Sequence, residues 1–384
     1  MEAMTERIKL AAFTAVSMLV LASVVTGLSA SLLEIASSFD IPPSRAGILY
    51  TLHFSGFMGF IVLSLLVRGL RSRLLLVTAF AGVYVAALLS ASLTPLFVPL
   101  AAALVFAGGS GGIIESHTTT LQVMTSKSEA ESGRLVSFTQ AFFALGALLA
   151  PVYLSLEASI GADWRILFLA LSAVAAAALL IGLSLRARRF EHAPAQSGTF
   201  RWRPLIRVCT AMAFYVGAEV VIFGWAPTVM ELYHDIPLGR ARLAPTLFWM
   251  GILGGRLVTA RLTARFTATA LLRFFSLIGA AAAVMLVIVN TEPLLWLGLV
   301  IASLACAGIW PLIIATTGSA GHETVTTIAV AAGGLGASVF PYLAGRIAEV
   351  LPGTFILSLA APLLIGVFVL SRSKAENKEP ANIE

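Results

Sequence analysis

Long apolar runs alternate with short polar segments along almost the whole chain. A helix needs about 20 apolar residues to cross the hydrocarbon of a bilayer, so each run reads as a membrane-spanning helix. Twelve are expected, at residues 10–33, 46–67, 74–93, 96–124, 135–156, 165–185, 205–230, 243–262, 270–289, 293–316, 325–347 and 354–371. The fourth and tenth are long and rich in glycine, which predicts tilt or local irregularity. The longest polar segment, "RARRFEHAPAQSGTFRWRP" at 186–204, divides the runs six and six. It is basic and contains Pro, Gly and Ser, the composition of a connector. The pattern predicts an all-α polytopic membrane protein. A six-helix bundle covers 1–185, a linker 186–204, a second six-helix bundle 205–371 and a polar tail 372–384.

Composition supports this. The chain has 384 residues, 59% hydrophobic and 11% charged, with a mean hydropathy of +0.95. A water-soluble chain of this length could not hide so much apolar surface. The opening "MEAMTERIKL" is brief and mixed in charge, and the span after it is too long for a signal-peptide core. Cys209 and Cys306 both fall in apolar runs and read as small core residues, so neither a disulfide nor a metal site is expected.

Charge placement sets an orientation. With a cytoplasmic N-terminus, 19 of the 25 Lys and Arg residues fall on the cytoplasmic side. Five (Arg45, Arg165, Arg240, Arg242 and Arg346) fall outside, and Arg256 lies within a span. The positive-inside rule therefore puts both termini in the cytoplasm, in a cell inner membrane. The net charge of +6 resides in short loops between spans, which argues against a nucleic-acid partner. The bilayer is the expected partner, and a monomer the expected state.

The two halves echo each other. "GALLAP" (146–151) and "GASVFP" (336–341) both read G-A-x-x-x-P, 190 residues apart. Gly56 and Gly59 in "SGFMG" parallel Gly251 and Gly254 in "MGILG". Together these matches indicate a duplicated six-span unit. Glycines let helix backbones approach closely, and a proline in the same helix permits a bend.

Duplicated six-plus-six spans resemble the major facilitator superfamily. "GGIIESHTTT" (111–120), "TQAFFALGALLAP" (139–151), "YVGAEVVIFGW" (215–225), "FWMGILGGRL" (248–257) and "GIWPLIIATTG" (308–318) look like the fucose/proton symporter branch. The resemblance implies that spans one, four, seven and ten line a central cavity. It also implies that Glu115 matches a span-four glutamate used in proton coupling or substrate binding.

Glu115 and Glu219 are the two acids well inside spans. A carboxylate stripped of water is costly and responds by taking a proton, so an intramembrane acid reads as functional. Glu115 is the first candidate for proton coupling. Gly111, Glu115 and Thr119 share a helix face, and Gly108, Gly112 and Ser116 form a neighbouring small-residue stripe suited to packing. His117 stands about 200° around the helix from Glu115, so it reads as an interhelical histidine rather than a coupling partner. Glu219 shares a face with Tyr215, a cavity candidate whose hydroxyl can bond the acid or a substrate; Glu219 reads either as a second coupling acid or as a contact between halves. His53 is a secondary cavity candidate able to titrate near neutral pH. Arg256 reads as a gate residue at the inner end of span eight, pairing with an acid or snorkelling to the interface.

The match to the sugar symporters is incomplete. Ala30 stands where they carry a coupling acid in span one, with Glu34 one turn further out. Gln140 matches their span-five Gln, but Phe143 replaces the Asn beside it and Thr119 replaces a span-four Asn. Hydroxyls stripped of water require partners, so these losses argue against a hexose. Phe142, Phe143, Trp225, Trp249 and Trp310 point to a more aromatic cavity. The expected function is a proton-coupled secondary transporter of a small molecule. The alternatives are a proton-driven exporter of an amphipathic compound, drug or metallophore, and a non-transporting membrane receptor. An enzyme is not expected: the chain has no HExxH, no GxSxG elbow and no phosphate loop, and no cofactor is implied.

Overall fold

The computed structural model describes the chain except for residues 1, 66, 68, 127–128, 161–162, 186–201, 316–322 and 372–384. Most of the expected connector and all of the expected tail therefore lie outside the described residues. The described part is all-helical. The helices are α1 (Glu2–Ser38), α2 (Pro43–Ala46), α3 (Ile48–Ser64), α4 (Leu70–Leu93), α5 (Phe97–Thr125), α6 (Glu129–Ile160) and α7 (Arg165–Leu183). They continue with α8 (Trp202–His234), α9 (Leu238–Ala241), α10 (Ala244–Leu262), α11 (Ala268–Ile288), α12 (Glu292–Ala315), α13 (Glu323–Ile347) and α14 (Ala360–Leu370).

Among the described residues, twelve helical segments are long and apolar enough to cross a membrane. In hydrocarbon every backbone N–H and C=O must be satisfied internally, and a helix does this within itself. The glycine-rich fourth span is one unbroken helix, α5, so the expected irregularity is absent there. Its glycines serve packing instead. The last span opens with a 3₁₀ segment over Gly353–Leu359 before α14 begins. Tyr233 occupies the space where a side chain at Gly353 would stand.

The internal repeat is visible as packing. A Cβ added to Gly146 would lie 2.1 Å from the Leu19 carbonyl oxygen of α1, and one added to Gly336 1.9 Å from the Ala213 carbonyl oxygen of α8. The two G-A-x-x-x-P motifs thus do the same work in each half, letting α6 press on α1 and α13 on α8. Gly56 lies equally close to the Val105 carbonyl of α5, while neither Gly59 nor its counterpart Gly254 has a neighbour within 4 Å. The repeat extends further. Asp40 and Asp235, 195 residues apart, both adopt left-handed backbone, with φ 50° and 53°. They open the matching turns "DIPPSRAG" and "DIPLGRAR" that lead into α2 and α9. Asp tolerates this conformation better than most residues.

An even number of spans puts the start of α1 and the end of α14 at one end of the bundle, called here the terminal end. The first six spans (α1–α7) meet the last six (α8–α14) mainly through the pairs α1–α8, α3–α13 and α6–α10. Hydrogen bonds across this seam gather toward the far end. Ser29 donates to the Phe223 and Gly224 carbonyls, and Tyr50 to the Gly224 carbonyl at 2.9 Å. Thr51 donates to the Ser338 carbonyl and Ser338 returns a bond to the Thr51 carbonyl, at 2.6 and 3.0 Å. Thr246 donates to the Leu148 carbonyl at 3.0 Å. Among the described residues, α5 and α12 are not one of the main packed helix pairs. Among the described residues, the seam's hydrogen bonds lie at the far end, and α5 and α12 make no extensive contact.

Close backbone approach makes a direct prediction. Gly146→Val and Gly336→Val should each destabilise the fold by about 1–3 kcal/mol or more, because carbonyls rather than flexible side chains must move. Gly59→Ala and Gly254→Ala, where the added methyl meets nothing, should leave the melting temperature of the purified protein equal or slightly raised.

Candidate functional site

The stretch 108–123 divides by helix face. Gly108 abuts the His53 carbonyl of α3, where an added Cβ would lie 1.8 Å away, and Gly112 abuts the Phe57 carbonyl at 2.6 Å. Gly111 faces Leu21 of α1. One turn on, Glu115 has the side chain of Gln140 on α6 as its polar neighbour. His117 is 3% exposed, and its Nδ1 lies 3.1 Å from Arg73 Nη1 on α4. Arginine has no acceptor, so Arg73 donates and Nδ1 accepts. His117 is an interhelical contact on the face opposite Glu115.

In the other half, Tyr215 donates its hydroxyl to Glu219 Oε1 at 2.7 Å, one turn apart on α8. Arg256 of α10 acts on both groups through its charge, and Cys306 of α12 also lies within electrostatic reach of Glu219. Arg256, nominated as a gate residue, thus belongs to the surroundings of Glu219. It forms no ion pair within 4 Å among the described residues.

Glu115, Thr119, Gln140, Glu219 and Arg256 are all partly exposed. Yet α5 packs against α1, α3, α4 and α6, and α8 against α1, α10, α12, α13 and α14. Both helices also reach the outer surface, through Phe106 of α5 and Leu232 of α8, but these lie about 180° around the helix from Glu115 and about 140° from Glu219, so the two acids face inward. The partial exposure of the two acids is therefore turned toward the space between the helices rather than toward lipid.

An aromatic layer bounds this space toward the far end. Phe143 lies one turn beyond Gln140 on α6, and Phe223 one turn beyond Glu219 on α8. Both rings meet Trp249 of α10, with centroids 5.3 and 6.0 Å from it. Glu115 and Glu219 therefore sit at similar depth, one in each half, beneath the same layer. Each aromatic pair contributes about 0.5–1.5 kcal/mol beyond area burial, so the layer is a firm floor. The Trp249 Nε1 is buried without a hydrogen-bond partner among the described residues.

Two expected cavity residues lie elsewhere. His53 is 1% exposed in the α3–α5 contact, edge-on to Phe54. The small-residue stripe of α5 draws the two helices too close for a cavity there. Trp225 is fully buried and donates to the Pro341 carbonyl at 2.9 Å. It wedges between Gly47 and Gly345 at the far-end seam, so it belongs to the closure rather than to the space below it.

Sequence reasoning missed Arg242. Counted as an outside-loop residue, it is 1% exposed and bonded across the seam. The "DIP" repeat with its matching Arg-Ala would have drawn attention to it: Arg242 stands where the first half has Gly47.

Among the described residues, no group of His, Cys, Asp and Glu could hold a metal ion. Comparison with known proteins gives a consistent result. The family model described as Major Facilitator Superfamily matches residues 12–331. No curated protein matches the chain. A crystal structure of a D-xylose–proton symporter is similar at a TM-score of 0.75 and 14% identity, covering 94% of this chain and 96% of that one. A crystal structure of a mutant of the nucleoside transporter NupG gives 0.71 at 12% identity, covering 95% and 98%. FucP in its outward conformation gives 0.63 at 15%, covering 94% and 97%. At these identities the likeness is one of fold.

The internal space makes a prediction about access. In a chain with Cys209 and Cys306 replaced, Thr119→Cys should react with a membrane-impermeant maleimide applied at the terminal end. Ala226→Cys, 1% exposed in the far-end seam, should be protected from that side. Equal labelling of both would contradict the geometry.

Proposed function

We propose a proton-coupled mechanism for this chain, from the premise that the chain belongs to the major facilitator superfamily, a family of membrane transporters. Residues 1–185 and 205–371 act as two bundles that rock about a central site and expose it alternately to each side. The observation that carries the reading is the pair of partly exposed acids, Glu115 and Glu219, one in each half beneath one aromatic layer. With both termini in the cytoplasm of a cell inner membrane, the present arrangement is open inward and closed outward. Glu115, neighboured by Gln140 alone among the groups named here, exchanges a proton with the inner water. Glu219, held by Tyr215 and balanced by Arg256, is the steadier acid. Sealing the site from water favours protonated Glu115, and opening it favours release. This alternation ties proton movement to the rocking of the bundles.

The substrate is a small molecule bound between Gln140, Thr119 and the aromatic floor. A proton symporter of sugar-like or nucleoside-like solutes is one reading, in keeping with what the similar structures are named for. The layer of Phe143, Trp249 and Phe223 favours a second: proton-driven export of an amphipathic compound. Its ring faces suit apolar or aromatic groups.

The test begins with a thermal-shift screen of sugars, nucleosides, organic acids and amphipathic drugs on purified protein. A hit is then taken to proteoliposomes with an imposed pH gradient. Glu115→Gln should abolish gradient-driven movement while sparing substrate exchange without a gradient. Undiminished gradient-driven movement in that variant would sink the mechanism.

A further inference from the structure

Arg242 caps the short helix α9, in the turn that joins α8 to α10. From there its side chain crosses the seam into the first six spans. Nε donates to the Ala30 carbonyl of α1 at 3.1 Å, and Nη1 to the Leu154 carbonyl of α6 at 2.7 Å. Nη2 forms an ion pair with Glu34 of α1. One side chain from the second half thus grips two helices of the first.

A second carboxylate waits nearby. Glu231 of α8, in Arg242's own half, lies within electrostatic reach of both Arg242 and Glu34. Its Oε2 is buried and has no hydrogen-bond partner. Two carboxylates, one from each half, therefore share one guanidinium, and the contact made is the one across the seam.

A guanidinium stays charged, and a buried charge stripped of its partner is strongly destabilising. If the far end opened with no other partner at hand, Arg242 would be left in that state. We propose that Arg242 is a two-position latch: Glu34 holds it while the far end is closed, and Glu231 receives it when the halves part. The latch is one-sided, because the repeat places Gly47, with no side chain to offer, at the matching position of the first half. The proposal rests on alternating access but not on proton coupling through Glu115.

Spin-label distances in lipid nanodiscs test it, in a chain lacking Cys209 and Cys306. One label pair at Leu96 and Asn290 reports the far end. A second at Ser72 and Ala264 reports the terminal end; all four positions are exposed. Glu34→Gln should raise a longer far-end population several-fold and shorten the terminal-end distances in step. Adding Glu231→Gln to that variant should return the far end to its closed distances. Should Glu34→Gln fail to give monodisperse protein, Arg242→Lys, which loses the fork but keeps the charge, should open the far end likewise. Far-end distances unchanged in Glu34→Gln overturn the latch. A double variant as open as Glu34→Gln overturns the receiving role of Glu231. Far-end opening with a static terminal end supports the latch but breaks the rocking motion on which the proposed function relies.

Discussion

Helices in a bilayer gain little from burying apolar surface against one another, because lipid is equally apolar. What joins them is close packing and a few polar contacts. Each interhelical hydrogen bond contributes on the order of 0.6 kcal/mol. Everything else in this molecule depends on where those contacts are placed. Within each half, glycines seat α6 on α1 and α13 on α8 at carbonyl contact. Between the halves, bonds from Ser29, Tyr50, Thr51, Thr246 and Arg242 gather at the far end. Firm halves and a seam built from modest bonds are what a rocking bundle requires. Arg242 stands apart in kind, since its guanidinium is buried and leaving a buried charge without its partner is strongly destabilising.

The one-sided seam explains why two acids can exist mid-bundle. Glu115 and Glu219 would be prohibitive in a sealed apolar interior without partners. Here each has an immediate neighbour, Gln140 for the first and Tyr215 for the second, and each remains partly exposed. Their surroundings differ: the charge of Arg256 acts on Glu219, whereas the side chain acting on Glu115 among the described residues is the neutral Gln140. That difference underlies the proposed division of labour, with Glu115 exchanging the proton and Glu219 holding its place.

Much of this was legible in the chain. Twelve apolar runs became twelve spans because length and hydropathy are what a bilayer selects. The paired glycine motifs became paired close contacts because carbonyl approach tolerates no side chain. Helical geometry separated Glu115 from His117, and the regular α5 made that separation real. Other features depend on contacts between distant segments. Nothing local distinguishes Trp225 as a wedge between Gly47 and Gly345, or His53 as packed against α5. Glycine richness in the fourth span resembles a hinge signal until α3 is seen against it. Arg242 looked like a loop cation because hydropathy reports depth along the membrane normal. It does not report burial between two bundles.

Carboxyl protonation can be observed without knowing the substrate. Infrared difference spectra of the protein in lipid, recorded across a pH titration, isolate the stretching band of a protonated carboxylic acid. If Glu115 is the proton carrier, a titrating band will be present in the wild type and lost in Glu115→Gln, while Glu219→Gln retains it. Identical titrating bands in the wild type and Glu115→Gln would contradict a proton-carrying Glu115.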